Sequence, residues 1–395
     1  MKFNLLLLVL ASGLVSAKKV CHVKPNDNTD ISVGGDNVNN DNIISKVIDS
    51  QYFEEPTEVP TDEPTDLLEN EENSGSENDV DDGICCADGT CKDLDDYLTQ
   101  CENKLNGVEF IKDSEDNLKI IKITTSTASV EIYRFGATLT SWIVDGEERI
   151  FLSKKAVLDG TGPIRGGIPL VFPQFKADLT EDLPFHGFAR ISNWRLGAID
   201  ATSEDRKEIS FILTNDEVNE EYLKIWPHQF ELVYTVTLDG KSLKTNMKIT
   251  NTGDDKFLFN TLLHTYYNVK DLTKAGVYGL LGNTYIDTTP EGNYERKVED
   301  RERVPIVKET DYIYVDVNQN LFKAQTGFEN DINIEKYTFQ DVIIYNPWIA
   351  KSRTLEDLGE EGYPHMLCVE VGRVSQPIEL EAGSVYEGGQ TITVE

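Results

Sequence analysis

The chain has 395 residues, 39% of them hydrophobic, and a formal net charge of −33. That is enough apolar material for one large or two medium cores, and the acidity argues against nucleic acid or an anionic membrane as a partner. The charge is uneven: Lys18 to Leu105 carries 23 Asp plus Glu against 6 Lys, as a solvated tail would.

The start, MKFNLLLLVLASGLVSA, places one lysine before an apolar run from Leu5 to Leu10 and ends in small residues, Ser16 and Ala17. This pattern predicts a secretory signal peptide over residues 1–17, because the run is shorter than the roughly 20 residues that a membrane span needs. No later stretch qualifies as a span, so the mature chain is expected to be soluble and to enter the secretory pathway or leave the cell. Residues 18–84 are rich in Asp, Asn, Glu, Pro, Ser and Thr and bury too little apolar surface to offset the entropy of ordering, so this segment is expected to be disordered. Residues 85–105 are rich in cysteine. Cys21, Cys85, Cys86, Cys91 and Cys101 are expected to form disulfides in an oxidising compartment rather than a zinc site, with the pairing open. Cys368 reads as a buried free thiol. No N-x-Ser/Thr sequon is present, so N-glycosylation is not expected.

From residue 106 the texture changes. LKIIKIT, SVEIYRFG, ATLTSWIVDG, EISFILTN, QFELVYTVTLDGKSLKTNMKITNTG and TFQDVIIYNP alternate apolar and polar residues with β-branched and aromatic enrichment. Asp239-Gly240 reads as a two-residue hairpin turn. Helical turns are expected only at Asn219–Trp226 and Ser352–Gly359. Residues 106–395 thus predict one all-β domain of large antiparallel sheets packed face to face.

Two ionisable residues stand inside apolar strand patterns: His264 in FLFNTLLHTYYNV (Phe257–Val269) and Glu370 in MLCVEVGRV (Met366–Val374). A buried imidazole is either hydrogen-bonded and inert or held for proton transfer near neutral pH, and buried carboxyls are rarely unpaired. One of each is what a general acid/base pair looks like in sequence. GPIRGGIPLVFPQF (Gly162–Phe175) carries one charge, Arg165, and LPFHGFAR (Leu183–Arg190) carries His186 and Arg190. Guanidinium forks in glycine-rich loops suit phosphate, carboxylate or sugar hydroxyls, the plainer reading being arginines that tie down loops. No GxxxxGK[ST] phosphate loop is present. In YNPW (Tyr345–Trp348), followed by Lys351, the tryptophan reads first as a turn residue closing a core, with stacking on a sugar ring beside the cation as the alternative. Asp311, in ETDYIYVDV, is by itself a turn residue.

RFGATLTSW, GPIRGGIPLVFPQF, LPFHGFAR, LLHTYYNV, ETDYIYVDV, YNPWIAKS and MLCVEVGRV occur in the order and approximate spacing of the glucose-6-phosphate 1-epimerases, or hexose-6-phosphate mutarotases. The resemblance covers residues 107–395 and implies a galactose-mutarotase-like β-supersandwich. It implies that His264 and Glu370 are the catalytic pair: the carboxylate takes the proton of the anomeric hydroxyl while the imidazolium protonates the ring oxygen. It also implies that Arg165 and Arg190 hold the sugar phosphate, that Asp311 binds hydroxyls, that His186 stands beside them, and that no metal or organic cofactor is needed. The partner is a small sugar or sugar phosphate, and the protein is expected to be a monomer. One residue departs from the family pattern. Phe185 stands where a Gln contacts substrate, and a phenyl ring cannot replace its hydrogen bonds. A mutarotase for free aldoses and a non-catalytic sugar-binding or interaction protein are the alternatives.

Overall fold

The computed structural model describes residues 105–395 apart from Asp116. The expected signal peptide, acidic segment and cysteine-rich segment, with its disulfides, lie outside the described residues. Within the described chain, antiparallel strands build sheets of five, nine and eight strands. The five-stranded sheet spans Val108 to Glu148 in sequence order. The all-β, face-to-face arrangement expected from the alternation is the one observed.

Burial follows the period of two where one face of a sheet meets water. Arg206–Thr214 and Ser242–Asn251, in the nine-stranded sheet, alternate almost residue by residue between buried and partly exposed. Their inward residues, with those of the five-stranded sheet, form one large core around Trp142, Phe211, Tyr234 and Met247. Phe172 sits in this core among Phe188, Trp226, Phe230 and Phe259, with ring centroids 5.4 to 5.9 Å away.

The eight-stranded sheet behaves differently. Asp341–Asn346 and the first nine residues of Met366–Leu380 are buried on both faces. Val342, Ile344, Leu367, Val369 and Val371 belong to the large core, whereas Ile343, Met366 and Cys368 pack in separate clusters on the opposite face. That second face is covered by loops rather than by another sheet. A concave site can form there without opening the main core.

Two local expectations shift. Asp239 pairs with Ser242, so the hairpin loop is Gly240-Lys241 rather than Asp239-Gly240. Gly240 takes φ +54° and Lys241 is not left-handed, the pattern of a type II′ turn with glycine first. A helix does form at Glu220–Ile225 within the expected Asn219–Trp226, with the Asn219 side chain accepting the Glu221 N–H. The second lies at Trp348–Ser352, not Ser352–Gly359. Pro347 fixes its start, and the chain beyond Ser352 continues only as turns, ending at a left-handed Gly359.

Candidate active site

Two rows of residues cross the eight-stranded sheet on its loop-covered face. One row joins Ile313 to Ile343 and Ile343 to Glu370; the next joins Asp311 to Tyr345, Tyr345 to Cys368, and Cys368 to Tyr266. Corresponding members of the rows are two residues apart on their strands, so their side chains leave the sheet on the same side. Leu263 pairs with Val371 and Tyr266 with Cys368 in one register, which sets His264 opposite Glu370.

The strand expected through His264 is interrupted there. It runs Phe257–Leu263 and resumes at Tyr266–Asn268. At the break the His264 N–H donates to the Pro169 carbonyl at 3.0 Å and the Tyr266 N–H to the Gly167 carbonyl at 2.9 Å, so the glycine-rich loop takes the place of a neighbouring strand. Gly167 has φ +73°, and a Cβ there would lie 2.3 Å from the Leu139 carbonyl oxygen. Only glycine lets this loop approach closely enough to bring Arg165 over the sheet.

His264 and Glu370 are both buried, with Nδ1 and Oε1 3.3 Å apart. The contact lacks hydrogen-bond alignment: His264 Nδ1 and Glu370 Oε2 have no partner among the described residues. The imidazole stacks on Tyr266 at 4.7 Å and 6°. The Tyr266 hydroxyl accepts from Arg165 Nη1 at 3.2 Å, and Arg165 Nε donates to Asp357 at 3.0 Å. The ring is therefore held flat by a tyrosine that an anchored arginine holds in turn.

The remaining wall comes from residues 174–190. The fully buried Gln174 side chain donates to the Leu183 and Pro184 carbonyls and accepts from the Leu179 and Thr180 N–H groups, closing this loop on itself. His186, at φ +67°, accepts the Lys176 N–H on Nδ1 at 3.1 Å, which leaves the proton of its neutral ring on Nε2. Arg190 donates to the Phe185 carbonyl at 2.7 Å, while its buried Nε has no partner among the described residues. Gly187, next to His186, has φ +74°, and a Cβ would fall 2.1 Å from the Phe172 carbonyl oxygen. Gly187→Ala is expected to destabilise the fold by at least the ~1–2 kcal/mol that a left-handed residue with a Cβ costs. A lowered thermal midpoint together with weakened sugar binding checks this; an unchanged midpoint contradicts it.

The electrostatics of the pair follow from burial. Desolvation, then the Arg190 and Arg165 charges, holds the His264 imidazole well below its usual range. Desolvation, then the Asp311 carboxylate, pushes the Glu370 carboxyl well above its own. His186 is likewise kept neutral by burial and by Arg190. Both shifts oppose charge on the pair: burial disfavours a proton added to His264 and disfavours loss of the proton from Glu370. Burial lowers the Arg190 guanidinium to about 10, still cationic at neutral pH.

All six residues singled out from sequence, Arg165, His186, Arg190, His264, Asp311 and Glu370, line one cavity of about 480 Å³, a size that suits a small ligand. Phe185 stands at its edge, 56% exposed. Trp348 does not reach it; that ring packs on Tyr363 at 5.3 Å and against the core, whereas Lys351 does line the cavity. The sequence reading missed Lys176, whose ammonium reaches the cavity 3.5 Å from Asp311, Tyr345 on the cavity wall, and Tyr266 stacked under His264. Tyr266 had a usable signal, since two residues from His264 in a strand means the same face. Lys176 and Asp357 had none, being placed by a left-handed turn and by a contact 192 residues away in the chain. A larger groove of about 810 Å³ lies along the five-stranded sheet, but no imidazole there faces a carboxylate at contact distance among the described residues.

The sequence profile of the aldose 1-epimerase family matches residues 119–393. A protein of Cenchrus ciliaris named "Putative glucose-6-phosphate 1-epimerase" is 32% identical over 288 residues, covering 71% of this chain and 85% of its own. One of the same name from Escherichia coli K12 is 29% identical over 262 residues, covering 66% and 85%. The solved structure of a "putative mutarotase" from Salmonella typhimurium superposes with a TM-score of 0.64 at 25% identity, over 74% of this chain and 98% of its own.

Proposed function

The chain belongs to the aldose 1-epimerase family, and from that premise we propose that it interconverts the α and β anomers of a hexose 6-phosphate, glucose 6-phosphate foremost. The observation that carries the reading is the facing of His264 and Glu370, 3.3 Å apart, in a cavity also lined by Arg165, Lys176, Arg190 and Lys351. In a chain of net charge −33, a cavity that gathers four cationic side chains, two of them paired with Asp357 and Asp311, supports an anionic ligand.

Ring opening needs a base at the anomeric hydroxyl and an acid at the ring oxygen. One proton leaves O1, another reaches O5, the C1–O5 bond breaks and C1 becomes an aldehyde; rotation about C1–C2 and reversal of the transfers close the other anomer. A pair holding one proton in total supplies both roles. The directions of both shifts favour that proton on Glu370, partly because Arg190 and Arg165 repel a charge on His264. A phosphate dianion lying between the two guanidiniums offsets that repulsion. The proton then moves to the imidazole, giving the carboxylate base and imidazolium acid that the family chemistry calls for. Charge on the substrate thus arms the pair.

The pH dependence follows from the same directions. Activity is lost on acidification when the neutral imidazole takes a second proton, which happens below its ordinary 6.5. It is lost on alkalinisation when the last proton leaves a carboxyl raised above 4.5. The kcat/KM profile on uncharged glucose is therefore expected to stay flat as pH falls through 6.5. An acid limb centred at or above that value contradicts the assignment.

Phe185 favours a second reading, a mutarotase for free aldoses, because its exposed ring offers no hydrogen bond at the cavity edge. Equilibration of freshly dissolved α-glucose and α-glucose 6-phosphate, followed by polarimetry or proton NMR, separates the two. Preference for the phosphate supports the first reading, and equal rates support the second.

A further inference from the structure

The sheet face that presents His264 and Glu370 also presents a thiol for which the reaction has no use. Cys368 lies two residues before Glu370 on the same strand, so their side chains share a face. It is free and fully buried. One ligating atom from each of His264, Cys368 and Glu370 lies within 4.8 Å of the others, and these are the three side chains that come together in this way among the described residues. Two potential donor atoms, His264 Nδ1 and Glu370 Oε2, are buried without a hydrogen-bond partner.

A nitrogen, a sulfur and an oxygen donor together suit a borderline-soft ion such as Zn²⁺, not Mg²⁺ or Ca²⁺, which take oxygen. Zinc bonds of about 2.0–2.3 Å set tetrahedral ligands roughly 3.3–3.8 Å apart, so atoms within 4.8 Å of one another need draw in by about 1.0–1.5 Å at most. Thiolate and carboxylate together balance the charge of the ion. His264 and Glu370 line the sugar cavity while Cys368 lies behind them, so the cavity is the route in and leaves a fourth position open. The Arg165 and Arg190 charges in the same cavity oppose a cation, which sets a moderate affinity.

We propose that Zn²⁺ binds His264, Cys368 and Glu370 and, by occupying the acid–base pair, excludes the sugar from the cavity. The metal is an inhibitor of this site, not a participant in the reaction. The inhibition rests on the anomer-exchange reading; the binding rests on the geometry alone.

The test compares reduced full-length wild type with Cys368→Ser and Cys368→Ala, whose other five cysteines are unchanged. Zinc bound at equilibrium dialysis should be one equivalent lower in each variant, and excess glucose 6-phosphate should release that equivalent from wild type only. Without zinc the variants should turn over at near wild-type rates, and zinc should inhibit them about tenfold or more less strongly, the scale on which a metal site loses affinity when its support is cut. Equal zinc stoichiometry in wild type and a folded variant overturns the proposal. So does equal inhibition, or zinc that is not displaced by whichever sugar, glucose 6-phosphate or glucose, the wild type turns over. If wild type accelerates no sugar, dialysis still decides the metal site by itself.

Discussion

Glu370→Gln is expected to lower kcat for exchange between the anomers of glucose 6-phosphate by about 10²-fold or more, the lower end of what a positioned acid–base group contributes. The amide has nearly the shape of the carboxyl, and the residue is fully buried on a strand paired to Ile343 on one side and held in register with the His264 strand by Leu263–Val371 and Tyr266–Cys368 on the other. Packing should therefore survive. What is lost is the ability to take and return a proton, so KM should change little while kcat falls. The variant should be no less stable than wild type at neutral pH, since a neutral amide spares the cost of a buried ionisable group. Single-turnover anomer exchange, paired with thermal unfolding, checks both halves. A variant that folds normally and keeps its rate removes Glu370 from the mechanism.

Arg165→Ala should discriminate between substrates. Losing a hydrogen bond to a charged group costs about 1.5–3 kcal/mol, which is roughly 10- to 150-fold in kcat/KM on glucose 6-phosphate. On glucose the loss should be much smaller. Arg165 also helps hold the His264 imidazole below its ordinary range. Its removal should move the acid limb of the glucose profile upward, towards neutral pH, a shift that loss of phosphate binding alone would not produce. The variant also strips Tyr266 of its hydrogen bond, so Arg165→Lys is the companion that keeps the charge without the fork. Steady-state kinetics of both variants on both sugars, across pH, separates charge from geometry. Equal losses on glucose and glucose 6-phosphate would sink the phosphate assignment.

The parts of this site that could be read from the sequence share one property: each is a local contradiction. His264 and Glu370 stand out because an ionisable group interrupts an apolar strand, and Arg165 and Arg190 because a charge interrupts a run of glycine, proline and aromatic residues. Such conflicts between local pattern and buried position concentrate where function overrides stability. The facing of His264 and Glu370 could not be read that way. It depends on the register between two strands more than 100 residues apart in the chain, which turns and neighbouring strands fix. The interruption at His264 was equally hidden, because the glycine-rich loop supplies the missing ladder partners. Lys176 owes its place to a left-handed backbone at φ +52°. Trp348 left two readings, a sugar platform beside Lys351 and a turn tryptophan closing a core, and the left-handed turn at φ +54° swings the ring towards Tyr363 and the core, as in the second. The neighbouring Tyr345 faces the cavity instead, as alternation along its strand requires.

The central claim is that this pocket opens and recloses an aldose ring. Two-dimensional exchange NMR on equilibrated glucose 6-phosphate with a catalytic amount of protein tests it most directly, because both anomeric protons are resolved and no net reaction is needed. The predicted result is cross-peaks between the α and β signals at mixing times where the protein-free sample shows none, and their loss on Glu370→Gln. Identical spectra with and without wild-type protein, for glucose 6-phosphate and for glucose, would contradict it.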